Sequence, residues 1–335
     1  MFSEMMLDKI QGMFLGIAIG DSLGMPVETW HRSRILEKYP LGILKYETPD
    51  GHKWFQGHQA GTVTDDTNLT LAVAKGMIEG KSFDMDFIVK AHIEEMKRST
   101  DGWGNTTRLA VRNLSNGVSY KVSGKLDDPG TGVGNGVIMK IAPLAAWRVS
   151  PRVQEEGLLE KIIDFSTMTH FSKMATYASL IHFNVLSDCL LNDVESYNPN
   201  NIFYEIKSAI DALELMNLDR LNDAEDDLEA RLNTLSIRLS LNEIAQSYRG
   251  SCYLYDSLPY IYSHWLLNYK NLNLLFDSIN YGGFKNDSDT NASVLGGMLG
   301  ALHGTEIFDS HLIDGLVDYN RVMQTANDFY DCFFK

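Results

Sequence analysis

The chain has 335 residues, of which 44% are hydrophobic and 22% charged; this is globular composition, long enough to bury a large core without disulfides or metal staples. Its 44 acidic and 29 basic residues leave a formal net charge of -15, which disfavours nucleic acid and anionic membranes as partners and suits divalent cations. The three cysteines, Cys189, Cys252 and Cys332, lie far apart without CxxC spacing, so neither a disulfide framework nor a zinc site is indicated, and a reducing, cytoplasmic setting is expected.

The N-terminal segment carries Glu4 and Asp8 where a signal peptide has basic residues, and it lacks a convincing cleavage site. A helix of the mature protein is expected over 7–23, with Ile10, Met13, Phe14, Ile17 and Leu23 on one stripe. Gly12, Gly16, Ala18 and Gly20 leave room for a close neighbour. No uninterrupted apolar run is long enough to span a bilayer. Residues 42–48 are the best candidate for a short strand. Further helices are predicted over 68–79, 87–97, 106–114, 137–147, 158–167, 173–191, 202–215, 235–248, 257–265, 272–279 and 291–302. The fold class is therefore mainly α, with helices packed in several orientations. The acidic stretch 217–230 is read as a solvated helix or insertion, since no Pro/Gly/Ser-rich linker divides the chain.

Glycine- and aspartate-rich spots recur at the starts of apolar helices, where free N–H groups and a positive dipole end await a partner. Thr64-Asp65-Asp66-Thr67 precedes one such helix. Taken alone, its hydroxyls and carboxylates read first as helix caps and second as hard oxygen ligands for magnesium, manganese or calcium. Asp287-Ser288-Asp289-Thr290 repeats the chemistry before another helix, and two such clusters favour the metal reading. The required glycine and distal glutamate of an EF-hand are missing. Asp21, inside an apolar helix, needs a backbone amide or a cation as partner. Glu28 follows Pro26, which ends the helix and lets the carboxylate face a cleft. The loop from Gly132 through Val133, Gly134, Asn135 and Gly136 suits close approach of a ligand, but no clear strand precedes it, so a Rossmann reading fails. A polar loop, Asp101-Gly102-Trp103-Gly104-Asn105, carries an aromatic suited to stacking on a base or sugar, and His170 follows Thr169.

Taken together, these segments resemble the ADP-ribosylglycohydrolase family, which includes the dinitrogenase reductase-activating glycohydrolases. The likeness runs in order through Gly16, Gly20, Asp21, Leu23, Gly24 and Glu28, then Thr64–Thr67, then Gly134, Asn135, Gly136, Met139 and Lys140, then Thr169 and His170. It ends with Asp287, Asp289 and Thr290 before a helix bearing Gly296, Gly297, Gly300 and Gly304. Two departures mark this chain: Phe284, Lys285 and Asn286 separate Gly282-Gly283 from Asp287, and the loop from Asp101 is one residue longer than the D-x-G-x-T-T pattern.

The resemblance implies an all-α, orthogonal multi-helix bundle spanning 1–335 as a single domain, with two magnesium ions, manganese being the alternative. Thr64, Asp65, Asp66, Asp287, Asp289 and Thr290 would be metal ligands, and Glu28, Asp65 and Asp289 the catalytic carboxylates. Asp101, Gly102, Trp103, Gly104, Asn105, Gly132, Val133, Gly134, Asn135, Gly136 and His170 would hold ADP-ribose. The implied reaction is hydrolysis of the bond between ADP-ribose and an acceptor, foremost arginine on protein, by a monomer that binds neither nucleic acid nor membrane. The alternative is a non-catalytic ADP-ribose or nucleotide binder, against which the intact Asp/Thr clusters argue.

Overall fold

Apolar residues at helical spacing, capped by threonine, serine or aspartate, set the architecture. The computed structural model describes residues 2–128, 130–153, 156–223 and 226–335. The first helices are α1 Phe2–Gly24, α2 Arg32–Lys38, α3 Asp65–Gly80, α4 Met85–Arg98 and α5 Asn105–Ser115. Then follow α6 Ala142–Arg148, α7 Leu158–Thr169, α8 Lys173–Leu191, α9 Asn201–Glu214, α10 Leu228–Leu232 and α11 Leu241–Ser247. The last are α12 Leu254–Asn268, α13 Asn273–Asn280, α14 Ser288–His303, α15 Ser310–Gly315 and α16 Tyr319–Phe334. Short 3-10 turns add Met25–Val27, Asn135–Lys140 and Thr305–Ile307. Among the described residues there is no β-strand, only isolated bridges pairing Gly134 with Tyr253 and Ser172 with Asn222. The fold is all-α, a multi-helix bundle as expected.

The central contact joins α1 to α14, which run antiparallel. Gly12, Gly16, Gly20 and Gly24 recur every turn of α1 and meet, in reverse order, the backbone of Gly300 and Gly304, Gly296, Ala292, and Ser288. A Cβ on Gly16 would lie 2.0 Å from the Gly296 carbonyl oxygen, and one on Gly296 would lie 2.0 Å from that of Gly16. No side chain fits there, so the two backbones touch. Helix α1 passes the length and composition test for a membrane span, but 94% of its most apolar window is buried inside this fold. The Ser288 hydroxyl donates to the Gly24 carbonyl at 2.8 Å, tying the end of α1 to the start of α14.

Several predicted elements differ from those observed. Residues 42–48 form no strand; the side-chain amide of Asn280 pairs with Ile43 instead, accepting from its N–H at 2.7 Å and donating to its carbonyl at 3.0 Å. The helix predicted over 137–147 is broken into a 3-10 turn and α6, because Pro143 lacks the N–H that a continuous helix needs. The helix predicted over 235–248 shrinks to α11, with α10 before it. Helices α2, α15 and α16 were not anticipated. Helix α16 buries Val322, Ala326, Phe329, Tyr330 and Phe333, packs on α1 and α3, and sets Phe329 against Phe14 at 5.9 Å between ring centroids. Of the acidic stretch 217–230, residues 224–225 lie outside the described residues. Its Asn222 pairs with Phe171 and Lys173 through the backbone, so the stretch lies against the segment that follows His170.

Replacing Gly296 by Ala forces a methyl into the α1–α14 contact. A loss of ~3 kcal/mol or more is expected, at or above the usual cost of overpacking. Gly104, which has nothing within 4 Å of an added Cβ, should tolerate Ala at under about 1 kcal/mol, the cost of a poorer helix cap. Urea unfolding of both variants checks this, and equal losses would contradict it.

Candidate functional site

The close approach of α1 and α14 brings the N-terminus of α14 beside the last turn of α1, and α3 starts at the same place. Thr64 caps α3, its hydroxyl accepting from the Asp66 N–H at 3.3 Å. Asp21 supplies a second cap from another helix: its Oδ2 accepts from the N–H groups of Thr64 at 2.9 Å and Thr67 at 3.1 Å, and from the Thr67 hydroxyl at 2.5 Å. The backbone partner foreseen for Asp21 is therefore present. Its Oδ1 has no partner among the described residues. Asp287 occupies the N-cap position of α14 without a side-chain cap hydrogen bond, and the Thr290 hydroxyl of that helix donates to Asp66 Oδ2 at 3.1 Å. The two Asp/Thr clusters, far apart in the chain, thus close on one another.

Asp21, Asp65, Asp66, Asp287 and Asp289 are all buried. Burial pushes Asp65 up to about 8, helped by the charges of Asp21, Asp287 and Glu28. Burial likewise raises Asp287 to about 7, with Glu28 adding to it. It raises Asp21 to about 6 against the hydrogen bonds from Thr67 and Thr64. Asp66 and Asp289 are driven well above the ordinary carboxylate range, first by burial and then by the surrounding carboxylates. Such a set ionises together only when a cation offsets the repulsion.

The donor set fits a hard divalent cation. Asp21, Asp66 and Asp289 each offer an oxygen within 4.8 Å of the others, and so do Glu28, Asp287 and Asp289. Asp66 Oδ1, like Asp21 Oδ1, is buried without a hydrogen-bond partner among the described residues. Carboxylates and hydroxyls without sulfur or imidazole suit magnesium or manganese.

Beside this pocket runs the glycine loop. Asn135 is pinned on both sides: its N–H bonds the Cys252 carbonyl at 2.9 Å, and its side-chain amide donates to Asp287 Oδ2 at 2.6 Å. A Cβ on Gly136 would sit 3.3 Å from His170 Cε1, and one on Gly134 3.7 Å from His170 Nε2. The loop therefore wraps the His170 ring. Burial lowers His170 to about 3, so the imidazole is neutral near pH 7. Its Nδ1 lies 2.9 Å from the Thr169 hydroxyl, which accepts from the buried Lys140 ammonium at 3.1 Å. The Ser172 hydroxyl donates to the Gly132 carbonyl at 2.5 Å, and the Val133 carbonyl accepts from Leu254.

The loop from Asp101 contributes differently from its sequence. Gly102 is needed where it stands, because a Cβ there would meet Asp65 Oδ1 at 2.7 Å and its φ is +80°. Trp103 is buried in the core cluster, so its ring supports the loop and is not free at the surface. Asp101 is exposed and accepts from the Ser99 hydroxyl at 2.8 Å. Asn105 is exposed at the start of α5 and accepts from Arg108, and Gly104 is exposed as well.

Two residues at this site carried no assigned role in the sequence. Asp21 was noted as needing a partner, and its unpartnered oxygen places it with Asp66 and Asp289. His52 donates from Nε2 to Glu28 Oε2 at 3.0 Å. Nothing in its flanking sequence marks it, since only the fold brings it to Glu28.

Comparison with known proteins agrees over most of the chain. The model of the ADP-ribosylglycohydrolase family matches residues 3–334. An uncharacterized protein of Archaeoglobus fulgidus is 22% identical over 332 residues, 98% of each chain. The ADP-ribosyl-[dinitrogen reductase] glycohydrolase of Rhodospirillum rubrum is 31% identical over 140 residues, covering 41% of this chain and 44% of that one. The ADP-ribosylarginine hydrolase Tri1 of Pseudomonas putida is 30% identical over 153 residues, covering 43% of this chain and 38% of its own. The likeness to these two enzymes thus spans less than half of their length. A solved structure described as an ADP-ribosylglycohydrolase-related protein complex shares the fold, with a TM-score of 0.66 at 20% identity over 98% of this chain and 99% of that one.

The raised carboxylates give a signed expectation for the metal-free protein. Folded, they hold protons that the unfolded chain, with ordinary carboxylates near pKa 4, releases. Their contribution to stability is therefore lost as pH rises from about 4 through about 8. A cation competes with those protons. Magnesium should raise the melting temperature more at about pH 8 than at about pH 5.5. Thermal unfolding with and without magnesium checks this; an equal or larger shift at the lower pH would contradict it.

Proposed function

The chain belongs to the ADP-ribosylglycohydrolase family, and from that premise we propose that it is a magnesium-dependent hydrolase of ADP-ribosyl conjugates, with ADP-ribosylarginine on protein as the foremost substrate. One observation carries the reading. Two acidic helix N-termini, closed by the Thr290–Asp66 bond, form a carboxylate pocket directly beside a glycine loop wrapped on a neutral, buried His170. The arginine linkage is supported by the likeness to the Pseudomonas putida ADP-ribosylarginine hydrolase.

Thr64, Asp65, Asp66, Asp287, Asp289 and Thr290 would hold the cations. When bound, magnesium or manganese orients and polarises ribose hydroxyls and makes a nearby water easier to deprotonate. The backbone of Gly132, Val133, Gly134 and Gly136 and the ring of His170 would line the pyrophosphate and ribose, Gly102 and Gly104 leaving room opposite. Asn135 acts by fixing that loop to Asp287. Glu28 stands at the mouth, partly exposed, with Asp65 and Asp289 behind it.

In the proposed step, water attacks the anomeric carbon and the carbon–nitrogen bond to the guanidine breaks. Glu28 takes the water proton and gives it up, and that proton ends on the departing guanidine. The transition state carries positive charge on the ribose, which the anionic walls favour. Asp65 and Asp289 would stabilise that charge.

Release of ADP-ribose from defined arginine- and serine-linked conjugates tests this. Turnover of the arginine conjugate should vanish in EDTA and return with magnesium or manganese. Asp66→Ala and Asp289→Ala should abolish it with the fold retained. Full activity after dialysis against EDTA would contradict the metal reading. Tight ADP-ribose binding without release from either conjugate would replace the enzyme by a binding protein.

Glu28→Gln keeps the size and removes the charge. The rate should fall by roughly 10²-fold, as for general acid–base groups, with ADP-ribose affinity changed much less. Unaltered turnover would remove Glu28 from the mechanism.

A further inference from the structure

His52 lies between α2 and α3, on a segment with no other assigned part in the site. Its Nδ1 accepts from the backbone N–H of Trp54 at 3.2 Å and of Phe55 at 3.3 Å. A nitrogen that accepts from N–H groups carries no proton itself, so the ring's proton sits on Nε2. Nε2 then donates to Glu28 Oε2 at 3.0 Å. The His52 side chain is 8% exposed and that of Glu28 28%. The imidazole packs on the Phe55 ring at 5.3 Å between centroids. Phe55 in turn abuts Gly102, where a Cβ would touch both that ring and Asp65 Oδ1. The His52 ring is thus anchored through the wall of the pocket.

Glu28 needs such a tether. Its backbone is set by the 3-10 turn Met25–Val27 and by Thr29, whose φ is 66° and whose N–H bonds the Asn286 carbonyl. Its side chain still turns about three bonds, and among the described residues His52 is its only hydrogen-bond partner, leaving Oε1 without one.

We propose that His52 is the positioning residue for Glu28: two backbone amides fix its tautomer, and its Nε2–H holds Oε2 so that Oε1 is presented to substrate. This rests on the reading of Glu28 as the proton-handling group.

Two substitutions separate the halves of the device. His52→Asn keeps an acceptor near Nδ1 for the Trp54 and Phe55 amides but cannot reach Glu28. His52→Gln keeps a donor near Nε2 for Glu28. His52→Asn should lower kcat about 10- to 100-fold, the usual cost of losing an orienting partner, with KM and ADP-ribose affinity near wild type. His52→Gln should retain most of kcat. In a Glu28→Gln background, His52→Asn should cost nothing further. Nitrogen-15 NMR of the intact protein reads the tautomer without turnover: the proton should be on Nε2, and Glu28→Ala should remove its downfield, hydrogen-bonded resonance. A proton on Nδ1, or a resonance indifferent to Glu28→Ala, would overturn the proposal, as would equal losses of kcat and melting temperature in both His52 variants. If the wild type releases no ADP-ribose from any conjugate, the hydrolase reading falls, while the spectrum still decides whether His52 holds Glu28.

Discussion

Backbone contact between two glycine-bearing helices is the constraint from which the site follows. Helices α1 and α14 approach so closely that an added methyl at Gly16 or Gly296 would meet a carbonyl oxygen at 2.0 Å. Only an antiparallel pair in this register puts Gly24 against Ser288. That register brings Asp21 and Glu28, near the end of one helix, to Asp287 and Asp289 at the start of the other. Helix α3 completes the set because its first amides and hydroxyl bond to Asp21. The carboxylates therefore come from three helix ends that a glycine contact and a buried aspartate lock in register.

The arrangement works against the fold that carries it. Buried carboxylates repel one another, and each has lost the water that stabilised its charge. The positive ends of α3 and α14 offset part of this, and threonine hydroxyls offset more, yet Asp21 and Asp66 each keep a buried oxygen with no partner among the described residues. A site poor in internal partners is poised for an external one. The same anionic character suits a reaction that develops positive charge on a ribose. Neutral His170, wrapped by a glycine loop, supplies the contrasting uncharged wall beside it.

Much of this was legible in the sequence, for local reasons. Threonine and aspartate before an apolar helix announce a cap whatever the fold, so residues 64–67 and 287–290 stood out, and small residues every fourth position announced a close helix contact. What depended on distant partners was not legible. The alternation over 42–48 looked like a strand, yet at Ile43 both backbone groups are taken by one asparagine side chain, Asn280. Trp103 in a polar loop looked free to stack, but the core takes it up. His52 carried no local signal because its meaning lies in Glu28 and in two amides that a turn presents. Pro143 did carry one, and it accounts for the split between the 3-10 turn Asn135–Lys140 and α6. Helix α16 has a regular apolar stripe, legible by spacing alone once the chain beyond Gly304 is considered.

The central claim is that facing helix ends form a divalent-cation site next to the nucleotide loop. An anomalous difference map from a crystal grown with manganese and ADP-ribose tests it most directly. Manganese peaks are expected among Asp66, Asp287 and Asp289, with ribose density against them and pyrophosphate density along Gly132–Gly136. Manganese absent from these carboxylates, with ADP-ribose bound elsewhere on the protein, would contradict the claim.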